Sequence, residues 1–230
     1  MIKYCFSFAL LLVVLSSCAP VYTPNLVNSP LFSQQNDAQL QGSVGLSGYD
    51  VQAAYSPINK LGVMANTTFF DSDNGNYSSR FYEGGVGYYQ SFEEAGRFEC
   101  YAGYGNAQTI LNKTVDGENI NAHYNRYFIQ PGIGVKQDFF EASFCTRIAY
   151  VDVYDLKSNN PNLRPTSSIF VEPVLTGRFG YKYVKFFTQF GLSMHTIDVL
   201  SLYSLPVILN FGMNLSFSEL YKKKEKTPGQ

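Results

Sequence analysis

The chain has 230 residues, a formal net charge of −1 and only 15% charged residues, against roughly a quarter in an ordinary soluble domain. The even balance of charge excludes the basic footprint of a nucleic-acid binder. Aromatics make up 16% of the chain, as 18 Tyr and 19 Phe without a Trp, and the length suits one all-β domain with no break in composition to mark a second.

Residues 1–17 read as a signal peptide: Lys3 supplies the positive start, and Phe6 to Leu15 is an apolar run too short to cross a membrane as a helix. Leu15-Ser16-Ser17-Cys18 resembles the lipobox of bacterial lipoproteins. That resemblance implies cleavage before Cys18, acylation of Cys18, and, with Ala19 next, sorting to the outer membrane. Residues 18–38 carry Pro20, Pro24 and Pro30 and read as a lipidated N-terminal tether of up to about 60 Å when extended. Among the later cysteines, Cys100 and Cys145 fall on opposite strand faces, so no disulfide is expected.

From Gln39 onward the chain alternates with a period of two and shows no useful run of helical period. Strands are predicted at 39–47, 49–55, 61–70, 80–92, 98–110, 124–136, 140–154, 167–179, 184–194 and 203–217. Short turns at 57–60, 93–96, 137–138 and 181–182 alternate with longer loops at 71–79, 111–122, 155–166 and 195–202. This is the pattern of an antiparallel up-and-down barrel of about ten strands, or eight if the first hairpin lies outside the wall. Either even count puts both chain ends at the short-turn rim. The barrel is assigned to residues 39–218, and 219–230 form a basic C-terminal tail.

The last strand poses the question of which face lies inside. Tyr203, Leu205, Val207, Leu209, Phe211, Met213, Leu215 and Phe217 form one uninterrupted apolar face, and Ser204, Pro206, Ile208, Asn210, Gly212, Asn214 and Ser216 lie on the other. A soluble barrel turns the apolar face inward; a transmembrane barrel turns it to lipid. Three features favour the transmembrane barrel. The apolar face carries more bulk than a narrow lumen holds, and the polar face is rich in Gly, Ser, Asn and Gln. Its charges also balance, with Asp50, Glu83, Glu99, Glu141 and Glu172 against Arg126, Lys136, Arg147, Arg178 and Lys185, as a lumen network needs if its charges are to be paired. Tyr88, Tyr150, Tyr154, Tyr181 and Tyr203, near strand ends, suit aromatic girdles.

Over Gln39 to Phe217, and most clearly in EGGVGYYQSFEEAGRFECYAGYG at 83–105, the chain resembles the small outer-membrane β-barrels of the OmpA, OmpW and opacity type. The resemblance is to an architecture that hosts many activities. Asp71-Ser72-Asp73-Asn74-Gly75 departs from a calcium loop, because its Gly comes one position early and the twelfth position is Tyr82. Ser193 and His195 share a strand face, but that face is the lumen and not the lipid side where an acyl substrate would arrive.

The expectation is a non-enzymatic outer-membrane β-barrel lipoprotein, structural or surface-binding through its long loops. The alternative is a narrow conduit for small solutes. Neither a cofactor nor a metal is expected. The partners expected are outer-membrane lipid and extracellular or envelope polymers, with no nucleic acid, and the protein is expected to be a monomer held in the bacterial outer membrane with a lipid-anchored N-terminus.

Overall fold

The computed structural model describes residues 20–72, 75–112, 119–195 and 204–218. The stretch read as a signal peptide, Cys18, Tyr203 and the basic tail lie outside the described residues. Ten strands are found among the described residues: β1 (Ala38–Gly45), β2 (Gly48–Ile58), β3 (Leu61–Asp71), β4 (Tyr77–Phe92), β5 (Gly96–Leu111), β6 (Ile120–Lys136), β7 (Phe140–Ser158), β8 (Ser167–Tyr181), β9 (Val184–Leu192) and β10 (Val207–Phe217). After a break at Ser193, Met194–His195 continues the pairing of β9 with β8. Every strand is antiparallel to its neighbours in the chain, and β1 pairs with β10 from Ala38↔Phe217 to Gly45↔Asn210, which closes the barrel. The first hairpin is thus part of the wall, and the fold is a closed ten-stranded up-and-down barrel.

The predicted partition of faces holds along the strands. Outward side chains include Tyr49, Val63, Val86, Ile133, Phe144, Leu175, Phe190 and Phe211, all exposed; inward side chains include Gln41, Gln52, Asn66, Gln130 and Asn214, all buried. Tyr104, Tyr127 and Tyr150 are register partners on β5, β6 and β7 and face outward together toward the long-loop rim. Near the short-turn rim Phe92, Phe98, Phe179, Tyr181 and Phe217 do the same. Cys100 faces out and Cys145 in.

The strand ends differ from the prediction in two respects. β4 to β8 run 15 to 19 residues, while the other five run 8 to 11, because the hairpins keep pairing into stretches expected to be loops, at Leu111↔Ile120 and Ile120↔Ser158. The inner side chains there are apolar rather than polar: Leu111, Ile120, Ala122, Tyr124, Val151 and Val153 pack together, and burying them favours extending the wall. The last strand begins only at Val207. Pro206, just before it, has no N–H to give a ladder, and Leu205 donates instead to the Tyr22 carbonyl at 3.1 Å.

That contact belongs to the largest departure from expectation. Residues 20–37 are irregular, as predicted, but they do not lead away from the barrel as a tether; they run through its interior. Tyr22, Leu26, Val27, Asn28, Ser29, Leu31 and Phe32 are all buried. One end lies at the long-loop rim, where Tyr22 bridges Ser204 and the Val21 carbonyl accepts from Thr109. The other lies at the short-turn rim, where Asn36 donates to the Ser56 carbonyl at 2.8 Å. The strands do begin and end at the short-turn rim, yet Pro20 is at the opposite one.

The reversal from threaded segment to β1 is fixed at Asp37. Asn36 has a φ of 66°, a left-handed turn that Asn adopts more readily than most residues. The Asp37 carboxylate accepts from Ser33 N at 2.8 Å, Gln34 N at 3.3 Å and the Ser218 hydroxyl at 2.7 Å, which ties the start of β1 to the end of β10. Asp37→Ala leaves these donors without their acceptor in a buried site and is expected to destabilise the barrel by about 1–3 kcal/mol. A denaturant titration checks this; an unchanged midpoint would mean that the turn is held elsewhere.

Candidate functional site

A closed barrel has no free edge inside it, so between the two rims the backbone of the threaded segment turns to inward side chains for its bonds. The Leu26 N–H donates to Asp50 at 3.4 Å and its carbonyl accepts from Gln52 at 2.6 Å. Gln189 forms a two-bond amide clamp on Val27, accepting its N–H at 2.8 Å and donating to its carbonyl at 3.0 Å. Gln130 serves the Asn28 carbonyl, Arg178 that of Ser29, and Glu99 and Lys136 the N–H and carbonyl of Leu31. Pro20, Pro24 and Pro30 bring no N–H into the lumen and so lower the number of acceptors that the wall must supply.

The ten charges expected in the lumen all lie on inward positions. Nine are buried and Lys136, near the short-turn rim, is half-buried. They form separate groups. Toward the long-loop side, Arg126 pairs with Glu83, its Nε at 3.0 Å, and Arg147 Nε lies 2.6 Å from Glu172. The threaded segment joins these two pairs. The Asn25 side-chain oxygen accepts from Arg126 at 2.7 Å and Arg147 at 2.8 Å, and the Tyr22 hydroxyl accepts from Arg126 at 3.2 Å and donates to Glu172 at 2.9 Å.

Toward the short-turn side, Glu141 holds Arg178 at 3.1 Å and Lys185 at 2.7 Å. Among the described residues Asp50 and Glu99 form no direct ion pair; Asp50 accepts from Thr68 at 2.6 Å, and Glu99 from Leu31 N at 3.1 Å.

Register explains how partners from non-adjacent strands meet. Glu83, Gly105 and Arg126 are successive partners across β4, β5 and β6, and the missing side chain at Gly105 lets Arg126 reach over β5. A Cβ there would come within 2.6 Å of the Phe81 ring, and Phe81 itself lies under the Arg126 guanidinium at 4.2 Å, a cation–π contact. From Glu83 the same row continues through Asn66, Gln52, Gln41 and Asn214 to Lys185. Several of its neighbours are hydrogen-bonded, including Asn66 to Glu83 at 2.8 Å and Asn214 to Gln41 at 3.2 Å.

Sequence reading left out several lumen residues. Arg97, which falls between the predicted turn at 93–96 and the predicted strand at 98–110, is buried and donates to the Ser33 hydroxyl at 3.1 and 2.9 Å; its phase with Glu99 and Tyr101 could have identified it. Tyr22 and Asn25 were hidden by the tether assignment, although residues 20–36 contain no charge, which is unusual for a solvated linker. The inner face is also less small than expected, because its glycines make room for large neighbours. A Cβ at Gly134 would meet Leu31 at 2.8 Å, and one at Gly87 would meet the Tyr101 ring at 2.4 Å.

Of the residues considered for chemistry, the Ser193 hydroxyl is buried and donates to Glu172 at 2.9 Å, whereas His195 is exposed beside Phe170. Asp71 pairs with Arg80 at 2.5 Å, and Asp73 and Asn74 lie outside the described residues. Compared with known proteins, the chain matches no protein-family model and no curated protein.

Removing one carboxylate separates buried from exposed pairing. Glu141→Ala leaves Arg178 and Lys185 buried without their counter-charge and is expected to cost about 3–5 kcal/mol. Asp71→Ala, at a surface pair, is expected to cost less than about 1 kcal/mol. Equal losses in a folding titration of the two variants would contradict the pairing described.

Proposed function

We propose that this chain is an outer-membrane β-barrel lipoprotein of the type its sequence resembles, without enzymatic activity, and that it works through its rims rather than its lumen. The observation that carries the reading is the combination of an apolar outer wall and an interior filled by the chain's own residues 21–32. On β7 the outward face from Phe140 to Tyr150 carries Ala142, Phe144, Thr146 and Ile148 between them and no charge. Ten residue steps cover about 34 Å along a strand, or about 25 Å along the axis of a barrel tilted by about 40°, the height of an outer-membrane apolar band.

Beyond that band the outward positions become polar. Asn106 and Asn125 follow Tyr104 and Tyr127, and the Tyr104 hydroxyl donates to Asn125 at 2.7 Å. The extended part of β4 to β8 then stands clear of the lipid at the long-loop rim, where it serves as a structural or surface-binding platform for extracellular or envelope polymers. The filled lumen argues against a conduit. Charge pairs and the threaded segment occupy the path that a solute would take.

Three measurements test this reading. Leu175, outward and 59% exposed on β8, is expected to tolerate Arg poorly: in bilayers Leu175→Arg should cost about 2–4 kcal/mol, as for a charge near the midplane, whereas on a solvated surface it would be neutral. In planar bilayers the purified protein is expected to give no steady conductance. Large, ion-selective openings would favour the conduit, and a protein that stays soluble after cell fractionation would overturn the membrane reading.

A further inference from the structure

We infer that the chain is threaded through its own barrel in one direction, so that the end bearing Cys18 and the long loops lie on one side of the membrane and the C-terminal tail on the other. The inference rests on the membrane and lipoprotein reading above and adds the leaflet that the anchor occupies. Its basis is the polarity of the threaded segment. Tyr22 meets Tyr124 and Phe170, toward the long-loop ends of β6 and β8, and Ser204, which precedes β10 on the same side, with ring centroids 5.7 Å from Tyr124 and 4.3 Å from Phe170. Thr23 reaches the Tyr77 hydroxyl at 2.9 Å, at the first residue of β4. Asp37 is at the other rim, bonded through its carboxylate to Ser218 just past the end of β10.

Two residue steps separate Cys18 from Pro20, at most about 7 Å of chain. The apolar band is about 25 Å tall, so an acyl group on Cys18 cannot return to the short-turn rim and must enter the leaflet beside the long loops. Barrels of this kind keep short turns on the periplasmic side. The anchor therefore occupies the outer leaflet, and the ligand of the N-terminal end is the lipid of that leaflet.

The geometry also orders assembly. A closed ring cannot admit an acylated end through a lumen already occupied by ion pairs, so the wall closes around the segment. Asn25 and Tyr22 link both Arg126 and Arg147 to the segment, so a barrel that closed without it would bury these guanidinium groups short of acceptors.

The test uses the full chain with epitopes inserted singly between Ala19 and Pro20, between Asp73 and Asn74, and after Gln230. Antibody binding is measured on intact and on permeabilised cells, with carbonate-washed membranes as the control for insertion. The first two epitopes are expected to be reached on intact cells and the third only after permeabilisation. If the protein sediments with washed membranes but the epitope after Ala19 behaves like the one after Gln230, the threading is overturned while the membrane reading stands; loss from the washed membranes is failure of the membrane reading itself. Where an insertion prevents folding, the pair Tyr22→Cys and Ser204→Cys provides a second measure. Oxidative cross-linking of the membrane-inserted protein supports the threading, and two thiols that stay free in the inserted protein refute it.

Discussion

The structure depends on one requirement: a segment enclosed by a closed sheet must find hydrogen bonds without a strand to pair with. Outside a barrel, an extended chain can add to an edge or be solvated. Inside, each buried amide left alone costs on the order of 1–3 kcal/mol, and the wall must meet it with side chains of the right length and polarity. The Gln189 clamp on Val27 reproduces with one side chain the pair of bonds that a neighbouring strand would have given. Gln52, Gln130 and Arg178 do similar work for other carbonyls. The polar inner face is therefore a set of backbone partners in addition to a charge network.

The same requirement accounts for the charges. Buried ion pairs are poor sources of stability, because desolvation cancels much of their attraction. They are better at fixing arrangement. Arg126 and Arg147 each have their carboxylate on the wall, yet both also bond Asn25. A shift of the threaded segment by one residue would remove that shared oxygen and bring a proline or an apolar side chain to two guanidinium groups. The charges define the register of the segment in the lumen, and the glycines at 105 and 134 allow the long and bulky groups to fit.

How much of this was legible in the sequence follows from which signals are local. Strand period, the inward phase of the ten charges and the alternation of short and long connections are set by neighbours in sequence, and they identified the barrel and the faces of Glu83, Arg126 and Glu141. The threaded segment left no such trace. From Tyr22 to Leu31 its bonds go to wall side chains 24 to 162 positions away, as in Leu26 to Asp50 and Val27 to Gln189, so it has no periodicity, and its prolines resemble those of a linker. The absence of charge from residues 20–36 was the available sign. The extended ends of β5 to β7 were missed for a different reason: their inner face turns from polar to apolar near Ala107, and a rule that inward means polar stops at that point.

The uneven wall follows from this change of polarity. Where the interior is polar, the barrel is ringed by all ten strands; beyond it only β4 to β8 continue, and the apolar inner side chains of that extension are covered by Tyr22, Phe170 and one another rather than by a far wall. The start of the threaded segment thus belongs to the packing of the tall side. On the proposed reading this puts the apolar cap, the lipid-bearing end and the outward row of Tyr104, Asn106 and Asn125 at one rim. The short-turn rim has instead the tight connections and the Asp37 reversal. On the same reading a barrel built this way would separate tasks by height: the middle sets register, the short rim closes the ring, and the tall rim, whose outward amides and phenols would stand above the lipid, would be the part free to meet a partner.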